Sequence, residues 1–99
     1  MEIEEVKKEV TRIVREELKR AAPGHKAFFF GSRVSGTASP RADLDVGIEG
    51  KTPLPPKILQ AIKIRCEGLR TLYSIDIVDF SATSDDFKKV AKEYVERIV

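Results

Sequence analysis

The sequence predicts an α/β (α+β) domain: a three-stranded mixed sheet flanked by about four helices. Three observations carry that prediction. Apolar residues recur at three- and four-residue steps near both ends of the chain and again in its middle, which is helical spacing. Short apolar runs, AFFF, LDVGI and SIDIVDF, separate those stretches and suit strands. Turn-forming residues fall between them, at Pro23-Gly24, Gly50 to Pro56 and Ser81 to Ser84.

Each element has its own warrant. Over residues 3 to 21, Ile3, Val6, Val10, Ile13, Val14, Leu18 and Ala21 line one helical face, and Glu, Lys and Arg fill the other. Pro23-Gly24 stops that helix. Lys26 to Phe30 reads as a short buried strand. Gly31 permits a sharp turn, and Ser32 to Ser35 suits a short helix. Gly36 to Ala42 is loop, with Pro40 inside it. Leu44, Val46 and Ile48 then alternate with Asp43, Asp45 and Gly47, so this strand has one apolar and one polar face. Pro55 and Pro56 suit a helix start, and Ile58, Leu59, Ile62, Cys66 and Leu69 form its stripe. Leu72 to Phe80 reads as a third strand. Ser84 is a natural N-cap with Asp85 and Asp86 in the first turn. Phe87, Val90, Ala91, Tyr94, Val95 and Ile98 then make a last helix.

Length and composition narrow the function classes. The chain of 99 residues suffices for a single domain, residues 1–99, with one modest core. Its 18 basic and 16 acidic residues leave a net charge of +2, so direct nucleic-acid binding is not expected. A single cysteine excludes an intrachain disulfide, and Cys66 falls on an apolar helix face that suits core packing. The N-terminal stretch MEIEEVKKEV lacks the apolar run of a signal peptide. No apolar run approaches the ~20 residues of a membrane span. A soluble, cytoplasmic protein without membrane contact is expected.

The chemistry lies in the carboxylates. Asp43 and Asp45 are two residues apart on a strand, hence on one face about 6.6 Å apart. Asp76 shares a strand face with Val78 and Phe80. Set beside the second strand, it would complete a three-carboxylate group. Such charges repel one another without metal. Two Mg²⁺ would supply +4 against −3 and welcome phosphates. Asp79 points to the opposite face and reads as a strand-end structural or partner-contact residue. Alone, a D-x-D pair is also what a solvated outer strand face displays. The upstream turn tips the balance, because Gly31-Ser32 follows an apolar strand and can open a helix whose backbone N–H groups bind phosphate. Arg33 could pair with a phosphate oxygen or stand solvated on the surface. Lys51, Lys57, Lys63 and Arg65 read as solvated charges, and His25 as a turn residue.

These residues carry a family resemblance. GSRVSGTASPRADLDVGI resembles the signature of the DNA polymerase β-like nucleotidyltransferases, a Gly-Ser turn followed about ten residues later by D-x-D in an apolar strand. IDIVDF resembles their later strand with the third carboxylate. The GSR start and the helix–strand order resemble the minimal nucleotidyltransferases, or MNT proteins, in particular. Carried over position by position, the resemblance implies a nucleotidyltransferase fold, with Gly31 and Ser32 binding the triphosphate. It implies Asp43, Asp45 and Asp76 as catalytic residues and metal ligands, and Arg33 matches an arginine common at that place. Ala42 departs from the pattern, since many relatives have Ser before the first Asp.

The resemblance implies Mg²⁺, two ions, with Mn²⁺ as a substitute, and ATP as the donor. It also implies transfer of AMP to a hydroxyl of a partner protein. Larger relatives carry an acceptor-binding domain, for which little chain remains here. The acceptor site is therefore expected to be shallow, completed by a second copy, or brought by a partner. The minimal group implies a HEPN-domain toxin as that partner and the chain itself as antitoxin. The alternative is a module with weak or no catalysis that neutralises its partner by binding. A homo-oligomer stays open.

Overall fold

The computed structural model describes residues 2–39 and 42–99. Pro40 and Arg41, inside the expected loop, lie outside the described residues, as does Met1. The chain forms α1 (Ile3–Ala21), β1 (Lys26–Phe30), α2 (Ser32–Ser35), β2 (Leu44–Glu49), α3 (Pro56–Glu67), β3 (Ile75–Asp79), a 3-10 turn (Phe80–Ala82), α4 (Asp85–Ala91) and β4 (Glu96–Arg97). The sheet order is β3-β2-β1-β4. β1 runs antiparallel to both neighbours, and β2 and β3 run parallel, joined by α3.

β1 is central, so its apolar run serves both faces of the sheet. Ala27 and Phe29 enter the larger core, together with Val10, Ile13 and Val14 of α1, Val46 and Ile48 of β2, and Ile58 and Ile62 of α3. Phe28 and Phe30 enter a smaller core on the other face, against Phe80. Phe80 meets both rings edge-on at 5.0 Å between centroids. A Cβ on Gly47 would lie 2.5 Å from the Phe28 ring and 2.8 Å from that of Phe80. That glycine lets both rings lie over β2.

α1 and α3 are also tied by charge. Glu17, buried on α1, accepts from Arg20 at 2.6 Å and from Arg65 at 2.8 Å, and Arg65 reaches Glu16 at 2.6 Å. Arg65 is thus an interhelical pin and not the solvated charge its sequence context suggests. His25 is buried, with Nε2 2.9 Å from the Thr52 carbonyl. Ser84 caps α4 as expected, accepting from the Phe87 N–H.

Two elements depart from expectation. β3 begins at Ile75, not Leu72, and Leu72 is fully exposed. Phe80 leaves the strand because Asp79 turns the chain by accepting from the Ser81 N–H. The last helix ends at Ala91, and Glu96–Arg97 adds a fourth strand on β1. The reason is physical. β1 would otherwise present an edge of unpaired backbone groups beside a buried apolar face. The C-terminal segment covers that edge: Ile98 donates to the Ala27 carbonyl at 2.9 Å, and its side chain is buried in the larger core. The spacing of Tyr94, Val95 and Ile98 fits a helix as well as this extended path.

Candidate active site

The site forms where β1 ends and β2 begins, on the sheet face opposite α1 and α3. The register places Phe30 beside Asp45 and Asp45 beside Asp76. Neighbouring strands are about 4.8 Å apart, so the two aspartates are adjacent on one face. Asp43 precedes the first residue of β2 and is exposed, as is Asp76, whereas Asp45 is half-buried. Burial between Phe30 and Gly31 pushes the Asp45 carboxyl above the usual carboxylate range, and the charges of Asp76 and then Asp43 push it the same way.

Gly31 forms the turn above Asp45. Its φ of +82° lies where side chains are strained, and a Cβ there would collide with Asp45 Oδ2. The turn opens α2, whose first N–H bonds return to the Gly31 carbonyl from Val34 and Ser35, both at 3.1 Å. Ser32 is the first residue of α2, and Val34 anchors that helix on the larger core. The expected residues Gly31, Ser32, Asp43, Asp45 and Asp76 therefore lie at one end of the sheet, where β1 ends and β2 and β3 begin.

Arg33 is placed differently from a solvated cation. Its Nε and Nη2 donate to the Ala42 carbonyl at 3.1 and 3.0 Å, and Nη2 lies 3.5 Å from the Ser39 carbonyl. The guanidinium also stacks 4.7 Å above the Tyr73 ring. By sequence Tyr73 is one more residue of the expected third strand. No local signal could reveal it, because its partner lies forty positions away in sequence. Asp79 faces away from the site. Its Oδ2 accepts from the Leu54 N–H at 2.9 Å and its Oδ1 from the Ser81 N–H at 3.0 Å. That is the structural strand-end role its face predicts.

Among the described residues, no three His, Cys, Asp or Glu side chains are drawn together closely enough to hold a metal ion between them. The donor set still suits a hard divalent cation. Three carboxylates supply oxygen only, which is the preference of Mg²⁺. The upward push on Asp45 by its two acidic neighbours is a repulsion that a cation would relieve. No helix among the described residues is long and apolar enough to cross a membrane.

The chain is similar to known proteins over most of its length. The chain is similar to a probable protein adenylyltransferase, MntA, of Haemophilus influenzae, at 29% identity over 89 residues. The match spans 90% of this chain and 78% of that protein. Its fold is similar to that of a toxin–antitoxin crystal structure with AMP-PNP, at a TM-score of 0.66 and 16% identity, covering 90% of this chain and 72% of the other. It is also similar to a chain of the complex between a tri-AMPylated Shewanella oneidensis HEPN toxin and its MNT antitoxin, at a TM-score of 0.61 and 13% identity. That match covers 91% of this chain and 69% of the other. At these identities both likenesses speak for the α/β fold alone. The nucleotidyltransferase domain family matches residues 11–98, a span that holds the Gly31 turn and all three aspartates, and this chain belongs to that family.

Proposed function

We propose that this chain is a protein adenylyltransferase that moves AMP from ATP to a hydroxyl of a HEPN toxin and so acts as its antitoxin. The observation that carries the reading is the Gly31 turn closed over Asp45, with Asp76 beside it in register. Membership of the nucleotidyltransferase family supplies the reaction class. The similarity to a probable protein adenylyltransferase and to toxin–antitoxin structures supports the choice of acceptor and partner.

The roles follow from position. The Gly31–Ser32 turn holds the triphosphate, where only a residue without Cβ leaves room beside Asp45. Asp43, Asp45 and Asp76 would hold Mg²⁺. The ion, when bound, supplies positive charge to the carboxylates and to the polyphosphate. Asp76, exposed at the open edge of the group, accepts the proton of the acceptor hydroxyl. The acceptor oxygen then forms a bond to the α-phosphorus, the α–β phosphoanhydride bond breaks, and pyrophosphate leaves with the bonding pair. The turn and the start of β2 orient the donor for in-line displacement.

The test uses mass spectrometry of the helical HEPN partner after incubation with this protein, ATP and Mg²⁺. Wild type adds one or more AMP units, and the Asp43→Asn, Asp45→Asn protein adds none while remaining folded. If that variant silences the toxin in cells as well as wild type does, catalysis is not the means of neutralisation. The chain would then be a contact inhibitor.

A further inference from the structure

Asp43 is the least supported of the three aspartates. It lies outside β2, its side chain is exposed, and no strand pairing includes it. Its two chain neighbours, however, are both tied down. On one side the Ala42 carbonyl accepts two hydrogen bonds from Arg33, and the Ala42 N–H donates to the Ser39 carbonyl at 3.1 Å. On the other side the Leu44 N–H donates to the Ser74 carbonyl at 2.9 Å. Ser74 follows Tyr73, whose ring carries the Arg33 guanidinium. Arg33 therefore connects α2, the loop before Asp43 and the segment leading into β3.

We propose that Arg33 is a positioning residue, which with Tyr73 sets the backbone of Asp43, and that it does not ligate the triphosphate. The proposal rests on the nucleotidyltransferase reading of the site. The chemistry favours arginine for this task. One planar fork donates twice to a single carbonyl while its face lies on an aromatic ring. A lysine keeps the charge but cannot do both. At a phosphate, in contrast, a lysine still serves as a point charge, and the loss there would fall on ATP affinity.

Four variants separate the two roles: Arg33→Lys, Tyr73→Ala, Tyr73→Phe and the double Arg33→Lys, Tyr73→Ala. A positioning role predicts that Arg33→Lys lowers kcat for transfer about 10–100-fold, the usual range for residues that orient a catalytic group, with KM for ATP within about twofold. Tyr73→Ala should lose as much, Tyr73→Phe should recover it by restoring the ring, and the double variant should be no worse than either single one. Amide hydrogen exchange supplies a readout independent of transfer. Arg33→Lys and Tyr73→Ala should speed exchange at Ala42, Asp43 and Leu44, with protection of the β1 amides unchanged. If exchange at these three amides stays at the wild-type rate in Arg33→Lys, the proposal is wrong, whether or not the wild-type chain proves to be an adenylyltransferase. A loss of ATP affinity by titration calorimetry with kcat preserved also overturns it and returns Arg33 to the phosphates. Transfer absent in wild type, together with faster exchange in both variants, supports the positioning and refutes only the activity.

Discussion

Gly31 lies so close against Asp45 that a single added methyl group would occupy the space of the carboxylate oxygen Oδ2. The turn and the aspartate are fourteen positions apart along the chain, and the antiparallel pairing of Phe30 with Asp45 makes them spatial neighbours. Gly31→Ala therefore faces two penalties: the clash, and a backbone conformation, φ +82° with ψ −163°, that costs a residue other than glycine about 1–3 kcal/mol. Titration calorimetry should show loss of ATP binding in this variant, while the melting transition stays cooperative. Wild-type ATP affinity in Gly31→Ala would show that the turn does not hold the triphosphate.

The raised Asp45 carboxyl has consequences for stability. It binds its proton more tightly folded than unfolded, so the folded state is favoured at low pH. That advantage is lost as pH rises from the ordinary carboxylate range through the raised value. In metal-free buffer at pH 7, Asp45→Asn should raise stability by at most about 1 kcal/mol, because the pair is partly exposed and screened. For a domain of this size that is roughly 4–8 °C in Tm. Near pH 3 the difference should vanish. Adding Mg²⁺ at 100 times its Kd should raise wild-type stability by about 2.7 kcal/mol and leave Asp45→Asn little changed. Equal Mg²⁺ responses in both proteins would remove Asp45 from the cation site.

Asp76 and Asp79 make opposite predictions from the same strand. Asp79→Ala leaves the Leu54 and Ser81 N–H groups without their acceptor, at a cost of about 1–3 kcal/mol. Nucleotide affinity should be unchanged. Asp76→Ala removes an exposed carboxylate and should abolish transfer with no loss of thermal stability. Thermal melts paired with transfer assays on the two variants check both statements together.

Gly47→Ala tests the smaller core. The added carbon would meet the Phe28 ring at 2.5 Å and Phe80 at 2.8 Å, and Phe80 is fully buried. Overpacking of this kind costs about 1–3 kcal/mol. A fall in Tm is expected without change in the pH dependence that Asp45 confers. An unchanged Tm would mean that the two rings move aside freely.

Cys66 should be inert. Burial pushes its thiol up to about 11, and the side chain is 4% exposed. The reactive thiolate is scarce at neutral pH. Alkylation by iodoacetamide should be slow in the native protein and fast in denaturant, and rapid native labelling would place the residue outside the core.

Much of the molecule was legible in sequence because it depends on short-range rules. Helical spacing bounded α1 at Ile3–Ala21, turn residues separated the strands, and alternation put Asp76 and Asp79 on opposite faces of β3. The order of Gly-Ser, D-x-D and the later aspartate was sufficient to anticipate the family, since those residues are read in sequence order. Three relationships needed the tertiary structure. The C-terminal segment leaves helical geometry because the open edge of β1 and the pocket for Ile98 stabilise an extended path more than local propensity stabilises another helical turn. Arg65 and Glu17 meet only once α3 lies on α1. Arg33 turns to the Ala42 carbonyl and the Tyr73 ring because the sheet brings the approach to β3 beside the approach to β2. Residue types and spacing determined which chemistry this chain can hold. The pairing of distant strands decided which side chain holds which, because hydrogen-bond register is a property of the whole sheet.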